Sequence, residues 1–200
     1  MADKKPYHHR NLPAVLREVT AELVSERGPA GFSLREVARR AGVSHAAPAH
    51  HFGDTRGLLT SLAAEGCERL TSAVQAASEE PDPQQRLRAC GNAYVRTALE
   101  SPGHFAVIFR DDLLDGDDPA LMEHGSAAFA TLLASMEALR DELNPALDVD
   151  AAALMCWSSM QGLVTLAPVL AASDDEHSVT DLTDAIEGVT SMMLAGFLPR

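Results

Sequence analysis

Between Ser33 and Phe52 the chain carries two helical patterns of about two turns each, separated by one glycine, Gly42. The first pattern has an apolar stripe of Leu34, Val37, Ala38 and Ala41. Ser33-Leu34-Arg35-Glu36 opens it with a capping-box signature. Gly42 then supplies the left-handed backbone that a sharp helix-to-helix turn often requires. Ser44 is placed to cap the second helix, which ends near His51-Phe52. Pro48 falls a turn later, so an irregular or kinked first turn is expected. Val43 and Phe52 are the natural core anchors, which leaves His45, Ala46, Ala47, Ala49 and His50 on the open face. This spacing predicts a helix-turn-helix, whose second helix enters a DNA major groove while the first crosses the backbone.

The remaining sequence alternates helical stripes with breakers. Asn11-Leu12-Pro13 opens a helix before the pair, and Gly53-Asp54 starts a longer one after it. Asp82-Pro83, Ser101-Pro102, Pro119 and Asp148 open four more, the third running to about Leu143. The helix from Asp148 is apolar on nearly every side and is expected to be buried all round, with Pro168 bending or ending it. A last helix carries Val179, Leu182, Ile186, Val189, Met193 and Phe197 on one stripe. The expected fold is all-α, with about nine helices. A flexible arm (1–9) precedes a three-helix DNA-binding domain (10–56), and a larger helical domain (57–200) follows. Aromatics are only 4% of the 200 residues, and β-branched residues are sparse beside Ala and Leu, which disfavours sheets.

The net charge of −13 is unevenly spread. Residues 1–60 hold 9 Lys/Arg against 6 Asp/Glu, and 61–200 hold 7 against 23. A polyanion-facing head on an acidic body is the expected reading. No signal peptide is expected, and the longest apolar run, around 162–172, is too short to span a bilayer, so no membrane partner is expected. Cys67, Cys90 and Cys156 match neither a zinc site nor a disulfide framework and read as reduced thiols of a cytoplasmic protein.

Phe32-Ser33-Leu34-Arg35-Glu36-Val37-Ala38-Arg39-Arg40-Ala41-Gly42-Val43-Ser44, followed by His51-Phe52 and Leu58-Leu59, resembles the DNA-binding domain of TetR/AcrR-type transcriptional regulators. Trp157-Ser158-Ser159-Met160-Gln161-Gly162 is similar to the signature of a subgroup with a WHG C-terminal domain, with Gln161 where that subgroup usually has His. The resemblance implies DNA contacts by Ser33, Arg35, Ser44, His45, Ala46, Ala47, Ala49, His50, His51 and Arg56. Two departures stand out. Ala49 occupies the place of a backbone-contacting Tyr, and Thr55-Arg56 the place of a Lys, for which Arg56 is the candidate substitute. The alanines can touch thymine methyls but cannot hydrogen-bond bases through their side chains. Three histidines in this helix also raise pH-sensitive binding. A zinc site is disfavoured because adjacent helical residues point apart.

The resemblance further implies a homodimeric repressor, released from a palindromic operator by a small effector. Its pocket candidates are Tyr94, His104, Phe105, Ile108, Phe109, Met122, Phe129, Trp157, Met160 and Gln161. Such a lining suits a mostly apolar ligand with one or two polar groups. In such dimers the last two long helices form a four-helix bundle, which nominates Gly162, Val179, Leu182, Ile186, Val189, Met193 and Phe197, with Gly188 and Gly196 allowing close approach. Cys90 and Cys156 can be read as a redox pair or, preferably, as buried inert thiols. No hydrolase, P-loop, dinucleotide or zinc-protease motif occurs, so an enzyme is not expected and no cofactor or metal is assigned. Two alternatives stay open: a redox- or metal-responsive regulator, and an interaction protein with a degenerate head.

Overall fold

The computed structural model describes residues 11–172 and 182–199. The expected arm (1–9) and Val179 lie outside the described residues. Among those described, the chain forms ten α-helices and one 3-10 turn, with no strand. In order these are α1 (Leu12–Arg27), α2 (Leu34–Ala41), α3 (Ala47–Phe52), α4 (Thr55–Ala77), α5 (Pro83–Glu100) and α6 (Pro102–Ile108). The 3-10 turn (Asp111–Leu113) precedes α7 (Pro119–Gly125), α8 (Ala127–Glu137), α9 (Val149–Ala172) and α10 (Leu182–Phe197).

Carboxylates start four of these helices by accepting backbone N–H groups that have no partner inside the helix. Asp54 Oδ1 accepts from Gly57 at 2.9 Å, Asp82 Oδ1 from Gln85 at 2.8 Å, Asp118 Oδ1 from Leu121 at 3.0 Å and Asp148 Oδ1 from Ala151 at 3.1 Å. Asn11 and Ser101 stand at cap positions too, but their side chains make no cap bond. The helix expected from Pro119 to Leu143 is two: it breaks at Gly125-Ser126, and residues beyond Glu137 continue as turns. Pro168 does not end α9, which runs on to Ala172.

The described residues pack as two compact units. The first contains residues up to Gly66 and Ser101–Met122. The second contains Cys67–Glu100 and the residues from Glu123 onward. These packing units cut the chain differently from the 10–56 and 57–200 division, because α6 lies against α1.

In the first unit, Leu16, Leu23, Val37, Ala41 and Leu58 form a buried cluster, with Val43 and Phe52 against it. Both expected anchors of the helix pair are therefore in place. Val24, Leu59, Leu62, Ala63, Val107 and Leu114 form a second cluster beneath α6. The α2–α3 turn rests on Gly42, at φ 69° and ψ 29°, and the Val43 N–H donates to the Ala38 carbonyl at 3.0 Å. A side chain at this left-handed position costs about 1–2 kcal/mol. Gly42→Ala should lower stability by about that amount, measured by urea unfolding.

In the second unit, α5, α8, α9 and α10 pack on one another around Met136, Leu139, Leu143, Ala153, Leu194 and Phe197. Here α9 departs from expectation. Ala152, Ala153, Cys156 and Met160 are buried, but Leu154 (57%), Leu166 (52%) and Val169 (66%) are exposed. Only one side of α9 meets other helices within the unit, so its apolar character is not matched by burial. Taken as a whole helix, Val149–Val169 is long and apolar enough to cross a membrane by length and composition, which the shorter 162–172 run understates. Its buried face serves as a core helix of this unit.

Candidate nucleic-acid interface and buried cavity

The α2–α3 pair is held by local chemistry. Ser33 Oγ accepts the Glu36 N–H at 3.3 Å, as the capping box requires. Glu36 does not complete the box; its carboxylate takes Arg27 Nη1 at 3.0 Å. Ser44 does not cap α3. The Ala47 N–H donates to the Ser44 carbonyl in a turn, the helix begins at Ala47, and Ala46 stands at the cap without a side-chain bond. Pro48 therefore sits in the first helical turn, where no kink is needed. It is buried, and it turns the opposite side of α3 outward.

That outward side is as expected for most of the named residues. His45, Ala46, Ala49, His50 and His51 are exposed, and Ala47 is half-buried. The His50 and His51 rings meet edge to face, with centroids 5.4 Å apart. Ser33, Ser44 and Arg35 are exposed as well. The head's other arginines are largely committed. Arg17 pairs with Glu65, and Arg40 makes a two-pronged pair with Glu26 at 2.6 and 2.8 Å. That pair raises the Arg40 pKa and lowers that of Glu26 through the hydrogen bond. Arg56 turns its guanidinium toward the Leu114 carbonyl within this unit. The cations left on the surface of the helix pair are Arg35 and Arg39, the latter 69% exposed and 3.8 Å from Glu36.

The second unit contains a buried cavity of about 30 Å³. Tyr94, Trp157 and Met160, three of the pocket candidates, line it. Phe129 packs edge-on to Trp157 at 5.5 Å, and Tyr94 edge-on at 4.8 Å. Gln161 is drawn in by Tyr94, whose hydroxyl donates to Gln161 Oε1 at 2.6 Å. Burial pushes the Tyr94 pKa up, so the phenol stays protonated. The other five candidates lie in the first unit. His104 and Phe105 are buried there, with His104 Nε2 3.8 Å from Glu65, while Ile108 is half-buried and Phe109 and Met122 are exposed.

Sequence reasoning missed much of the lining. Leu87, Cys90 and Gly91 come from α5, Val74 from α4 and Leu132 from α8. Cys156 comes from α9, and Thr190 and Met193 from α10. The available signal was spacing: Cys90 and Gly91 share a face with Tyr94, and Cys156 shares one with Met160. Gly91 is bare for a reason. A Cβ there would lie 3.3 Å from both Met160 Sδ and Thr190 Cγ2.

All three cysteines are free and buried. Burial pushes the thiols of Cys67 and Cys156 up to about 11, and that of Cys90 upward despite the Ser135 hydroxyl and Arg86. Thiolate is the reactive form, so these thiols are poor redox sensors at neutral pH. The fold favours the neutral thiol, so its contribution is complete below the ordinary value and is lost as pH rises. Stability should fall between pH 9 and 11, and iodoacetamide at pH 8 should modify the folded chain far more slowly than the urea-unfolded chain.

Of the nominated interface residues, Ile186 and Phe197 are buried within the second unit, and Met193 lines the cavity. Val189 is half-buried, and Leu182 lies in α10. The exposed face of α10 is instead Gly188, Met192 (69%) and Gly196, at helical spacing. On α9, open space surrounds half-buried Gly162, as it does Gly188 and Gly196. A shallow groove of about 490 Å³ continues this face past Leu147, Met155, Met192 and Gly196.

Known proteins share both parts. Residues 16–62 match the family model of bacterial regulatory proteins of the tetR family. Residues 87–186 match the tetracyclin repressor-like C-terminal domain, a match that does not confirm the WHG subgroup. The HTH-type transcriptional regulator BetI of Burkholderia cenocepacia (strain HI2424) is 36% identical over 78 residues, 38% of this chain. The chain spans 40% of that relative's length. A structure of a protein with unknown function from Rhodococcus sp. RHA1 superposes with a TM-score of 0.82 at 29% identity, covering 98% of this chain and 100% of that one. The TetR family transcriptional regulator PfmR from Thermus thermophilus shares the fold, with a TM-score of 0.74 at 20% identity and coverage of 94% and 96%. With the helix pair, the all-helical architecture and both family matches in agreement, the chain belongs to the TetR family of transcriptional regulators.

Proposed function

We propose that the protein is a cytoplasmic, homodimeric repressor that binds a palindromic DNA operator and leaves it when a small, mostly apolar effector enters the cavity of the second unit. The exposed side of α3, flanked by Arg35 and Arg39 of α2, carries the DNA part of this reading. Arg35, Arg39 and Ser33 would hold phosphates, while His45, His50 and the alanines would meet base edges. Two such helices must sit about 34–36 Å apart to enter successive major grooves, which is why a dimer and a palindrome go together. The glycine-lined apolar face of α9 and α10 supports the dimer: Leu154, Leu166, Val169 and Met192 leave apolar surface for a second copy to cover. An almost wholly apolar lining and the absence of a charged side chain around the cavity support the effector class. Such a ligand acts by preferring one of two states of the dimer.

Genomic-fragment selection with purified protein, followed by a salt titration on the best fragment, tests this. A palindromic site whose affinity falls steeply with salt supports a dimer that releases counterions. The hydrogen bond of Arg56 to the Leu114 carbonyl and the presence of Ala49 favour a second reading, an interaction protein with a degenerate head. No enrichment above background at low salt would select that reading instead.

A further inference from the structure

The open side of α3 is defined by what it lacks. Residues 43–52 contain no Arg, Lys, Asn, Gln, Asp or Glu, so this segment can make neither a two-pronged arginine–guanine contact nor a two-pronged amide–adenine contact. Its exposed small residues are Ala46 and Ala49, with Ala47 half-buried and Pro48 buried. The His50 N–H donates to the Ala46 carbonyl at 2.9 Å, and Ala46 itself has right-handed helical backbone at φ −83° and ψ −17°, so the helical turn already runs from Ala46. Ala46 and Ala49 therefore sit three residues apart on one face, with His45 and His50 exposed one turn away. We propose that Ala46 and Ala49 read two neighbouring thymine·adenine pairs in each operator half-site, by packing their methyl groups against the thymine C5 methyls. This inference rests on the regulator reading and names the bases that its recognition helix selects.

Three properties select thymine. The first is chemistry: of the four bases, thymine alone presents a methyl group in the major groove, and an alanine side chain has only an apolar group to offer. The second is spacing. Cβ atoms three residues apart on a helix lie about 5–6 Å from one another. That fits methyls on adjacent base pairs, which are stacked about 3.4 Å apart and turned by the helical twist. The third is depth. A helix with its side chains is about 10–12 Å across, and the major groove is about 12 Å wide. One-carbon side chains on the groove side let the α3 backbone approach the groove floor, where the methyls stand, whereas a long side chain at either position would hold it off. Arg35 and Arg39 of α2 then supply charge for the phosphates, which positions the helix without reading sequence. Burying a methyl-sized group is worth about fourfold in affinity for each contact.

Selection from random-sequence duplex DNA by the full chain, followed by chemical substitution in the enriched duplex, tests it. Adjacent thymine·adenine pairs should recur at the same place in both half-sites. Replacing one of those thymines by uracil in both half-sites removes only the methyl. Affinity should then fall about fifteenfold, fourfold at each half-site, measured by fluorescence anisotropy of the labelled duplex. 5-Methylcytosine paired with guanine at the same position should restore most of that affinity, because alanine does not sense the exchange of thymine O4 for cytosine N4. Unmethylated cytosine should bind as weakly as uracil. Ala49→Gly, at an exposed position, should weaken binding to the thymine duplex and bring the thymine and uracil duplexes level at one of the two positions. The uracil comparison uses the wild-type chain, so it decides the matter if Ala49→Gly does not fold by circular dichroism. Enriched half-sites without adjacent thymines overturn the proposal and leave the regulator reading intact. So does equal binding of uracil and thymine duplexes by the wild type, which would assign the preference to groove shape. Failure to enrich any duplex at low salt overturns both readings together.

Discussion

Gly103→Ala is expected to destabilise the first unit by about 3 kcal/mol or more, because the clash it makes cannot be relieved by a side chain. A Cβ at 103 would lie 2.0 Å from the Ala21 carbonyl oxygen, 2.7 Å from its carbon and 2.9 Å from its Cα. Both sides of that contact are backbone. The first turn of α6 would have to move off α1 by more than an ångström. The contacts of Val24 with Val107 and Leu114 would loosen with it. For a chain of this size, each kcal/mol shifts Tm by about 2–4 °C, so a loss of roughly 6–12 °C is expected in a thermal scan. Gly116→Ala is the control, since a Cβ there meets nothing within 4 Å. Equal Tm values for the two variants would mean that α1 and α6 do not cross at this glycine. The consequence reaches function because α1 also carries Leu16 and Leu23, on which α2 and α3 rest.

How far the sequence reveals such features depends on whether a signal is local. The α2–Gly42–α3 turn is set by residues within about ten positions of one another, so its stripe, cap and left-handed glycine are all readable in advance. The aspartate caps at 54, 82 and 148 are readable for the same reason. Ser44 misleads because a hydroxyl before a helical stripe can serve either a cap or a preceding turn, and Pro48 in the first turn favours the turn.

The rest turns on which side of a helix its neighbours occupy, and periodicity does not carry that information. Two faces of α10 are apolar or small. Ile186, Thr190, Leu194 and Phe197 face the unit's interior, while Gly188, Met192 and Gly196 face outward. Of the stripe read from sequence, Ile186 and Phe197 are buried in the unit and Met193 lines its cavity, so these members serve the core of the unit. The pocket candidates divide in the same way. Tyr94, Trp157, Met160 and Gln161 gather in one place, whereas His104, Phe105 and Ile108 belong to the packing unit of α1. Their nomination rested on position in relatives, and position does not report which unit a short helix such as α6 joins.

Gly91→Ala should separate effector response from folding and DNA binding. The added methyl meets Met160 Sδ and Thr190 Cγ2 at 3.3 Å, and the thioether can yield by a few tenths of an ångström. Replacing a mid-helix glycine gains about 0.5–1 kcal/mol of helix stability, which offsets that repacking. Thermal unfolding should therefore change little, and salt-dependent operator binding should stay as in the wild type, since residue 91 lies in the second unit. The cavity itself cannot absorb the methyl without loss, because only about 30 Å³ is open. A methylene-sized misfit in an apolar pocket is worth about 1–3 kcal/mol, or about 10- to 200-fold in affinity. The effector concentration that releases operator should rise by that factor, measured by fluorescence anisotropy of labelled operator DNA. An unchanged release curve would place the effector elsewhere and leave the cavity as packing space. A loss of operator binding in the absence of effector would show instead that the methyl itself drives the released state, making residue 91 part of the switch between the two states rather than only a wall of the pocket.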